Sequence, residues 1–132
     1  LARTFKGGHV ILLEGNLGAG KTHFVQGVAR ALGIKKHITS PTFTIMNVYA
    51  IPAAKRSSGI ECVAHIDLYR IKTLDEAYSI GIMDYLGAPK TLPLIEWPEK
   101  IKNALPKGCA CINITIKHKN NLVRSITVRN FP

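Results

Sequence analysis

From Gly15 to Thr22 the chain reads Gly-Asn-Leu-Gly-Ala-Gly-Lys-Thr, the G-x-x-x-x-G-K-[ST] spacing that cradles a chain of phosphates. Glycines let the backbone wrap closely enough for its N–H groups to face phosphate oxygens, and a helix starting at the lysine adds its own free N–H groups. The Lys21 ammonium then reaches the β- and γ-phosphates as a point charge. The Thr22 hydroxyl suits the Mg2+ that bridges the same two groups. Gly15, Asn16, Leu17, Gly18, Ala19, Gly20, Lys21 and Thr22 are therefore the candidate contacts to a nucleoside triphosphate. The plainer reading of the segment, a glycine-rich turn with no ligand, does not explain why every fixed position is filled.

Hydrolysis asks for more than a cradle: an acidic group to hold the metal, directly or through water, and a group to orient the attacking water. Two apolar runs end in carboxylates, Ala64-His65-Ile66-Asp67 and Leu94-Ile95-Glu96, in a chain with only 8 acidic residues. In an open α/β sheet, ligands gather beyond the carboxyl ends of the parallel strands, so Asp67 and Glu96 are candidates for metal binding and catalysis. Each can also be an ordinary cap or solvated strand end. Glu96 is the expected closer contact, because the stiff Trp97-Pro98 follows it, and Asp67 is expected to hold a metal-bound water or Thr22. His65 shares a strand face with Asp67 and reads most simply as a hydrogen-bonded structural histidine. Ser40-Pro41-Thr42-Phe43 sets two hydroxyls beside an aromatic ring in a stiffened turn. Such a loop can sense a γ-phosphate, or merely lead into a strand.

The elements that position these groups alternate along the chain. Val10 to Leu13 is an apolar run fit for a central parallel strand, and Thr22 to Leu32 is helical by the spacing of Phe24, Val25, Val28, Ala29 and Leu32, with Gly33 closing it. Thr42 to Tyr49 and Cys62 to Leu68 read as a hairpin around Pro52 to Gly59. A helical pattern over Leu74 to Leu86 is interrupted near Gly81. Thr91 to Glu96 reads as a strand, Glu99 to Ala104 as a short helix, and Ala110 to Ile116 with Leu122 to Val128 as a closing pair around Asn120-Asn121. The expected fold is α/β, a three-layer P-loop-like sandwich on a small mixed sheet.

Length and composition bound the rest. The 132 residues suit a single domain spanning 1–132, 46% hydrophobic and 20% charged, the balance of a globular protein. No run approaches the roughly 20 apolar residues that span a bilayer, so no membrane partner is expected. Because the chain starts at Leu1 rather than Met, a trimmed N-terminus is expected. Cys62, Cys109 and Cys111 form neither an even disulfide set nor a metal pair. Cys109 and Cys111 share one strand face and read as packed, reduced thiols, which favours a cytoplasmic setting. A net charge of +10, scattered rather than stacked, attracts nucleic acid or an acidic protein surface, or is simply a solvated basic exterior.

Four segments in this order and at these separations carry a resemblance: Gly15 to Thr22, Ser40-Pro41-Thr42-Phe43-Thr44, His65-Ile66-Asp67-Leu68-Tyr69-Arg70 and Ile95-Glu96-Trp97-Pro98-Glu99. Together, over about residues 1 to 106, they resemble TsaE, also called YjeE, the small P-loop ATPase family of bacterial tRNA threonylcarbamoyladenosine synthesis. The resemblance implies ATP at Gly15–Thr22, a switch over Ser40–Thr44 with Thr42 near the γ-phosphate, a Walker B-like acid at Asp67, and a second switch at Glu96-Trp97. It also implies slow hydrolysis, stimulated by threonylcarbamoyl-transfer proteins of the TsaD and TsaB type and resetting that complex between turnovers. Tyr69 and Arg70 are candidates for docking or phosphate sensing. Where the family commonly has Asp, this chain has Asn16, so one negative charge beside the phosphates is missing. The basic excess leaves contact with tRNA open. An N-terminal strand or helix is expected ahead of Leu1.

Other classes fit less well. A metabolite kinase needs a lid and a substrate pocket for which the chain offers little. A GTPase needs an N-K-x-D motif, and only Asp84-Tyr85-Leu86-Gly87, in a helical pattern, echoes its D-x-x-G. A docking module that binds nucleotide without turning it over shares every motif and is separated only by partner-stimulated hydrolysis.

Overall fold

The structure is a computed structural model that describes residues 1–56 and 59–130. Six strands form one sheet in the order β2-β3-β4-β1-β5-β6, where β1 is His9–Glu14, β2 Met46–Ala50, β3 Cys62–Asp67, β4 Thr91–Glu96, β5 Ala110–His118 and β6 Arg124–Asn130. The four inner strands are parallel, and β2 and β6 run antiparallel at the edges. This is the expected mixed sheet of an α/β sandwich. All four parallel strands end at one rim, where β1 delivers the glycine-rich loop, β3 delivers Asp67 and β4 delivers Glu96.

Alternation along the strands sorts side chains into two cores. Ile11, Leu13, Val63, Leu92, Leu94, Ile114 and Ile116 face the helix α1, Lys21–Ala31, and pack with its Val25, Val28 and Ala29. Val10, Leu12, Ala64, Ile66 and Ile95 face the other way, against Ala77 of α2, Leu74–Ser79, and against Ile82 and Leu86. His65 and Asp67 share the face of Val63, and Glu96 that of Leu92 and Leu94. Period two thus carries all three polar groups to the α1 face, where the helix begins.

Several boundaries differ from the sequence reading. The strand expected from Thr42 begins at Met46, because the Ile45 N–H donates to the Pro41 carbonyl and closes a turn over Thr42–Thr44; Ile45 itself has φ of 67°. The helical stretch from Leu74 breaks as expected at Gly81, with φ of 80°, and resumes only as a 3-10 turn at Ile82–Asp84. The short helix expected over Glu99–Ala104 is two 3-10 turns, Pro98–Lys100 and Lys102–Ala104. Leu122 belongs to the hairpin turn, not to β6, because the Asn120 Oδ1 accepts from the N–H groups of Leu122 and Val123. Within the Pro52–Gly59 connection, Ser57 and Ser58 lie outside the described residues.

Cys62, Cys109 and Cys111 are free thiols, and Cys109 and Cys111 pack against the same apolar cluster. Burial, with Cys111 beside it, pushes the Cys109 thiol up to about 12, so it stays protonated and unreactive. Among the described residues no helix is long and apolar enough to cross a membrane.

Candidate functional site

Gly15 opens the loop and admits no other residue without movement: a β-carbon there meets the Ile116 carbonyl oxygen at 2.6 Å and the Ala19 side chain at 3.1 Å. The loop therefore lies tight against β5. At its far end Gly20 is the N-cap of α1, with φ of 107° and no side-chain cap, which leaves the first-turn N–H groups available to an anion. The His118 Nε2–H donates to the Gly18 carbonyl at 3.1 Å and anchors the loop to the end of β5.

Lys21 is buried, 4% exposed, with its ammonium donating to the carbonyls of Gly15 at 2.6 Å and Asn16 at 3.1 Å. The Trp97 ring covers it, 4.1 Å from the ammonium to the ring centroid, and Tyr69 packs against Trp97 at a tilt of 50°, ring centroids 5.1 Å apart. Burial lowers the Lys21 pKa from its usual value, while the negative charges of Glu96, Asp67 and Glu99 oppose that shift.

One helical step on, the Thr22 hydroxyl donates to the Glu96 Oε1 at 2.9 Å. The same oxygen accepts from His65 at 2.8 Å. A carboxylate only accepts, so the proton sits on the His65 Nε2. His65 is fully buried, and its Nδ1 has no partner among the described residues. Asp67 stands beside Glu96 in the β3–β4 register. Its Oδ2 accepts from the Thr42 hydroxyl at 3.0 Å and the Ser40 hydroxyl at 3.4 Å, and its Oδ1 from the Tyr69 N–H at 2.9 Å. Of the two contacts expected of Asp67, a metal-bound water or Thr22, the one to Thr22 is made by Glu96, which ends the strand next to β1, one place nearer the loop. Asp67 instead holds the Ser40–Thr42 turn.

The structure brings Lys21, Thr22, Ser40, Thr42, Asp67 and Glu96 to one cleft, closed on one side by Tyr69 and Trp97. Leu17 and Gly18, also on that cleft, form the exposed crown of the loop. Arg70 lies outside, its guanidinium 4.9 Å from the centroid of the exposed Phe43 ring. Asp84 ends a 3-10 turn on the α2 side, and Leu86 is buried there, so that segment supplies no nucleotide contact. Sequence reasoning did not find three contacts: His65 on Glu96, Trp97 over Lys21, and His118 on the loop. Each depends on the register between strands far apart in the chain. Only the pairing of His65 with a strand-end carboxylate left a trace, as a polar residue inside an apolar run.

A family model for the threonylcarbamoyl adenosine biosynthesis protein TsaE matches residues 1–126. The chain is 36% identical over 128 residues to the tRNA threonylcarbamoyladenosine biosynthesis protein TsaE of Treponema pallidum, covering 97% of this chain and 87% of that protein. It is 43% identical over 103 residues to the protein of the same description from Synechocystis, covering 76% of this chain and 61% of the relative. The crystal structure of Bacillus subtilis YdiB superposes with a TM-score of 0.68 at 33% identity, covering 96% of this chain and 71% of that one. With the loop, the switch-like turn and both strand-end carboxylates in one cleft, the chain belongs to the TsaE family of tRNA threonylcarbamoyladenosine biosynthesis proteins.

Proposed function

We propose that this chain is a cytoplasmic, Mg2+-dependent ATPase that is weak alone and stimulated by threonylcarbamoyl-transfer proteins of the TsaD and TsaB type, its turnover resetting that complex. The observation that carries this reading is the hydrogen bond from Thr22 to Glu96, which ties the last residue of the phosphate loop to a carboxylate ending the neighbouring strand. The donor set fits magnesium: the Thr22 hydroxyl and the carboxylates of Glu96 and Asp67 are hard oxygen ligands, too few to enclose the ion, as expected where phosphates and water complete the shell. When bound, Mg2+ neutralises charge that develops between the β- and γ-phosphates.

The residues divide the remaining work. Free N–H groups at the start of α1 and the Lys21 ammonium hold the phosphates, and Lys21 leaves the carbonyls of Gly15 and Asn16 to do so. Thr42, held by Asp67, is the group through which a γ-phosphate would change the Ser40–Thr44 turn. Glu96 keeps its orientation because His65 and Thr22 fix one of its oxygens.

A second reading, a module whose bound nucleotide only reshapes a docking surface, draws on the contacts Lys21–Trp97–Tyr69. Those contacts link the proposed phosphate-binding lysine to a half-exposed ring. Phosphate release from Mg-ATP, measured with and without the partner proteins, separates the two. Strong stimulation supports the ATPase; ATP binding with no added turnover supports the module.

A further inference from the structure

From Gly15 to Ile60 the chain has no Asp or Glu, and beyond Lys21 that stretch carries Arg30, Lys35, Lys36, Lys55 and Arg56. The fold gathers four of these at the far end of α1. Arg30 lies in its last turn, about 14 Å along the axis from Lys21. The chain then turns back on the helix: the Ile34 N–H donates to the Ala29 carbonyl, and the Gln26 Nε2 donates to the Ile38 carbonyl at 2.9 Å. Ile34 and Ile38 are buried, 7% and 4% exposed, so Lys35, Lys36 and His37 between them are left on the surface. The Lys36 ammonium stands over the Tyr49 ring, 5.7 Å from its centroid. The stem of Lys55 lies against Gly33, where a β-carbon would come within 2.7 Å of its Cγ.

Gln26, Arg30, Lys35, Lys36 and His37 face one cleft of about 220 Å³. Small-molecule sites are larger, roughly 300–1,000 Å³. Among the described residues none of Arg30, Lys35, Lys36 and Lys55 pairs with a carboxylate, whereas Arg56, Lys90 and Lys102 do. Unpaired like charges repel and disfavour the compact state. The helix dipole accounts for Arg30 alone, because its effect is confined to the last turn. No exposed apolar side chain lines the cleft. Protein interfaces centre on apolar side chains and are poor in lysine, while nucleic-acid interfaces are polar and strongly cationic. Gln26 spends its Nε2 on Ile38, which leaves its amide oxygen as an acceptor among cationic donors. That mixture suits a ligand whose hydroxyls accompany its phosphates, as the 2′-hydroxyls of RNA do.

We propose that Arg30, Lys35, Lys36 and Lys55 form a docking surface for the phosphodiester backbone of a folded RNA. The surface lies at the opposite end of α1 from Gly15–Thr22 and holds whether or not that loop binds nucleotide. Contacts of this kind fix position and add affinity without reading sequence, and their strength falls steeply with salt.

Fluorescence anisotropy with a labelled, unmodified transfer RNA transcript, read between about 50 and 200 mM salt, tests the surface. Replacing both lysines, Lys35→Gln with Lys36→Gln, should lower affinity about tenfold at the lower salt and reduce the slope of log affinity against log salt by about 1.5. Arg30→Gln, on a different element, should reduce the slope by about half as much. Lys107→Gln with Lys119→Gln removes the same charge elsewhere and should leave the slope unchanged. All five side chains are exposed, so every variant should melt with the unaltered chain. Equal losses in the two double variants overturn the proposal, because net charge and not this surface then holds the RNA. So does an unaltered chain that shows no salt-dependent binding. Displacement of the transcript by polyglutamate at equal charge concentration assigns the surface to an acidic protein instead, and equally tight binding of DNA of the same sequence refutes the choice of RNA.

Discussion

Glu96→Gln separates chemistry from folding at this site. The Glu96 Oε1 accepts two hydrogen bonds, from Thr22 at 2.9 Å and from His65 at 2.8 Å, and the side chain is 4% exposed. A glutamine keeps an oxygen where both donors point. It loses only the charge-assisted part of each bond, about 1 kcal/mol apiece. Removing one of two neighbouring buried anions, with Asp67 next in register, offsets part of that loss. Stability should therefore fall by no more than about 2 kcal/mol. Turnover should fall by about 10²- to 10³-fold, as when one preorganised electrostatic group is taken from a transition state.

Alanine is the poorer probe of the same position. It strands the His65 Nε2–H in a side chain that is fully buried and whose Nδ1 already lacks a partner, and it leaves a cavity. Together these cost roughly 2–4 kcal/mol, or about 10 °C in melting temperature for a chain of this size. Thermal melts, ATP titration and partner-stimulated phosphate release, measured on both variants, should show a stable, ATP-binding, inactive Gln form and an unstable Ala form. Turnover of the Gln variant within threefold of the unaltered chain refutes the catalytic role of Glu96 and moves it to Asp67. Loss of ATP affinity in step with turnover places Glu96 in binding alone.

Other consequences follow from the same contacts. Lys21→Ala should abolish ATP binding with the fold intact; unchanged affinity in a folded variant refutes the phosphate role. Because burial lowers the Lys21 pKa, the folded chain binds fewer protons than the unfolded one between that lowered value and about 10.5. Stability attributable to Lys21 therefore rises with pH across this window, and Lys21→Ala should flatten the rise in denaturant titrations. Gly15→Ala drives a β-carbon against the Ile116 carbonyl and should cost about 2–3 kcal/mol with loss of ATP binding, whereas Gly18→Ala meets open space and pays only for φ of 76°, about 1 kcal/mol. Equal melting temperatures for the two variants contradict that packing. His65→Gln, which keeps a donor for Glu96, should retain more turnover than His65→Leu at equal ATP affinity; identical rates show that His65 only fills space.

Most of the fold was legible because its signals are local. The apolar run into glycines, the 3.6-residue spacing after Lys21 and the strand Thr91–Glu96 each reflect a periodicity that packing reinforces. Where reading and structure part, a nonlocal bond prevails over a local pattern. Thr42–Ile45 alternate like a strand, yet the Ser40 and Thr42 hydroxyls are drawn to Asp67, 25 or more residues away, and the segment turns. The site was legible as a set of residues and not as a set of contacts. Lys21, Thr22, Asp67 and Glu96 stand out by motif or by ending apolar runs, but which carboxylate meets Thr22 is decided by the order β3-β4-β1, which no segment alone encodes.

The backbone shows where the fold and the site conflict. Among the described residues only Ile45 and Trp97 combine a β-carbon with positive φ, at 67° and 58°. Left-handed backbone is unfavourable for both residue types, by about 1–3 kcal/mol each, so neither is there by local preference. Each adjoins one carboxylate: the Ile45 carbonyl accepts from the Asp67 N–H at 2.9 Å, and Trp97 directly follows Glu96. Pro98 already disfavours the right-handed helical region at Trp97, and the left-handed turn places the ring over Lys21. Strain of this kind lasts only where surrounding contacts outweigh it, and those contacts are the hydrogen bonds of Asp67 and the packing of Trp97 against Lys21 and Tyr69. Any ligand that draws Lys21 away from Gly15 and Asn16 also removes one of the contacts holding Trp97. On the proposed reading of Lys21, the two strained residues are the points at which phosphate binding would pass into movement of the surface around Phe43 and Tyr69.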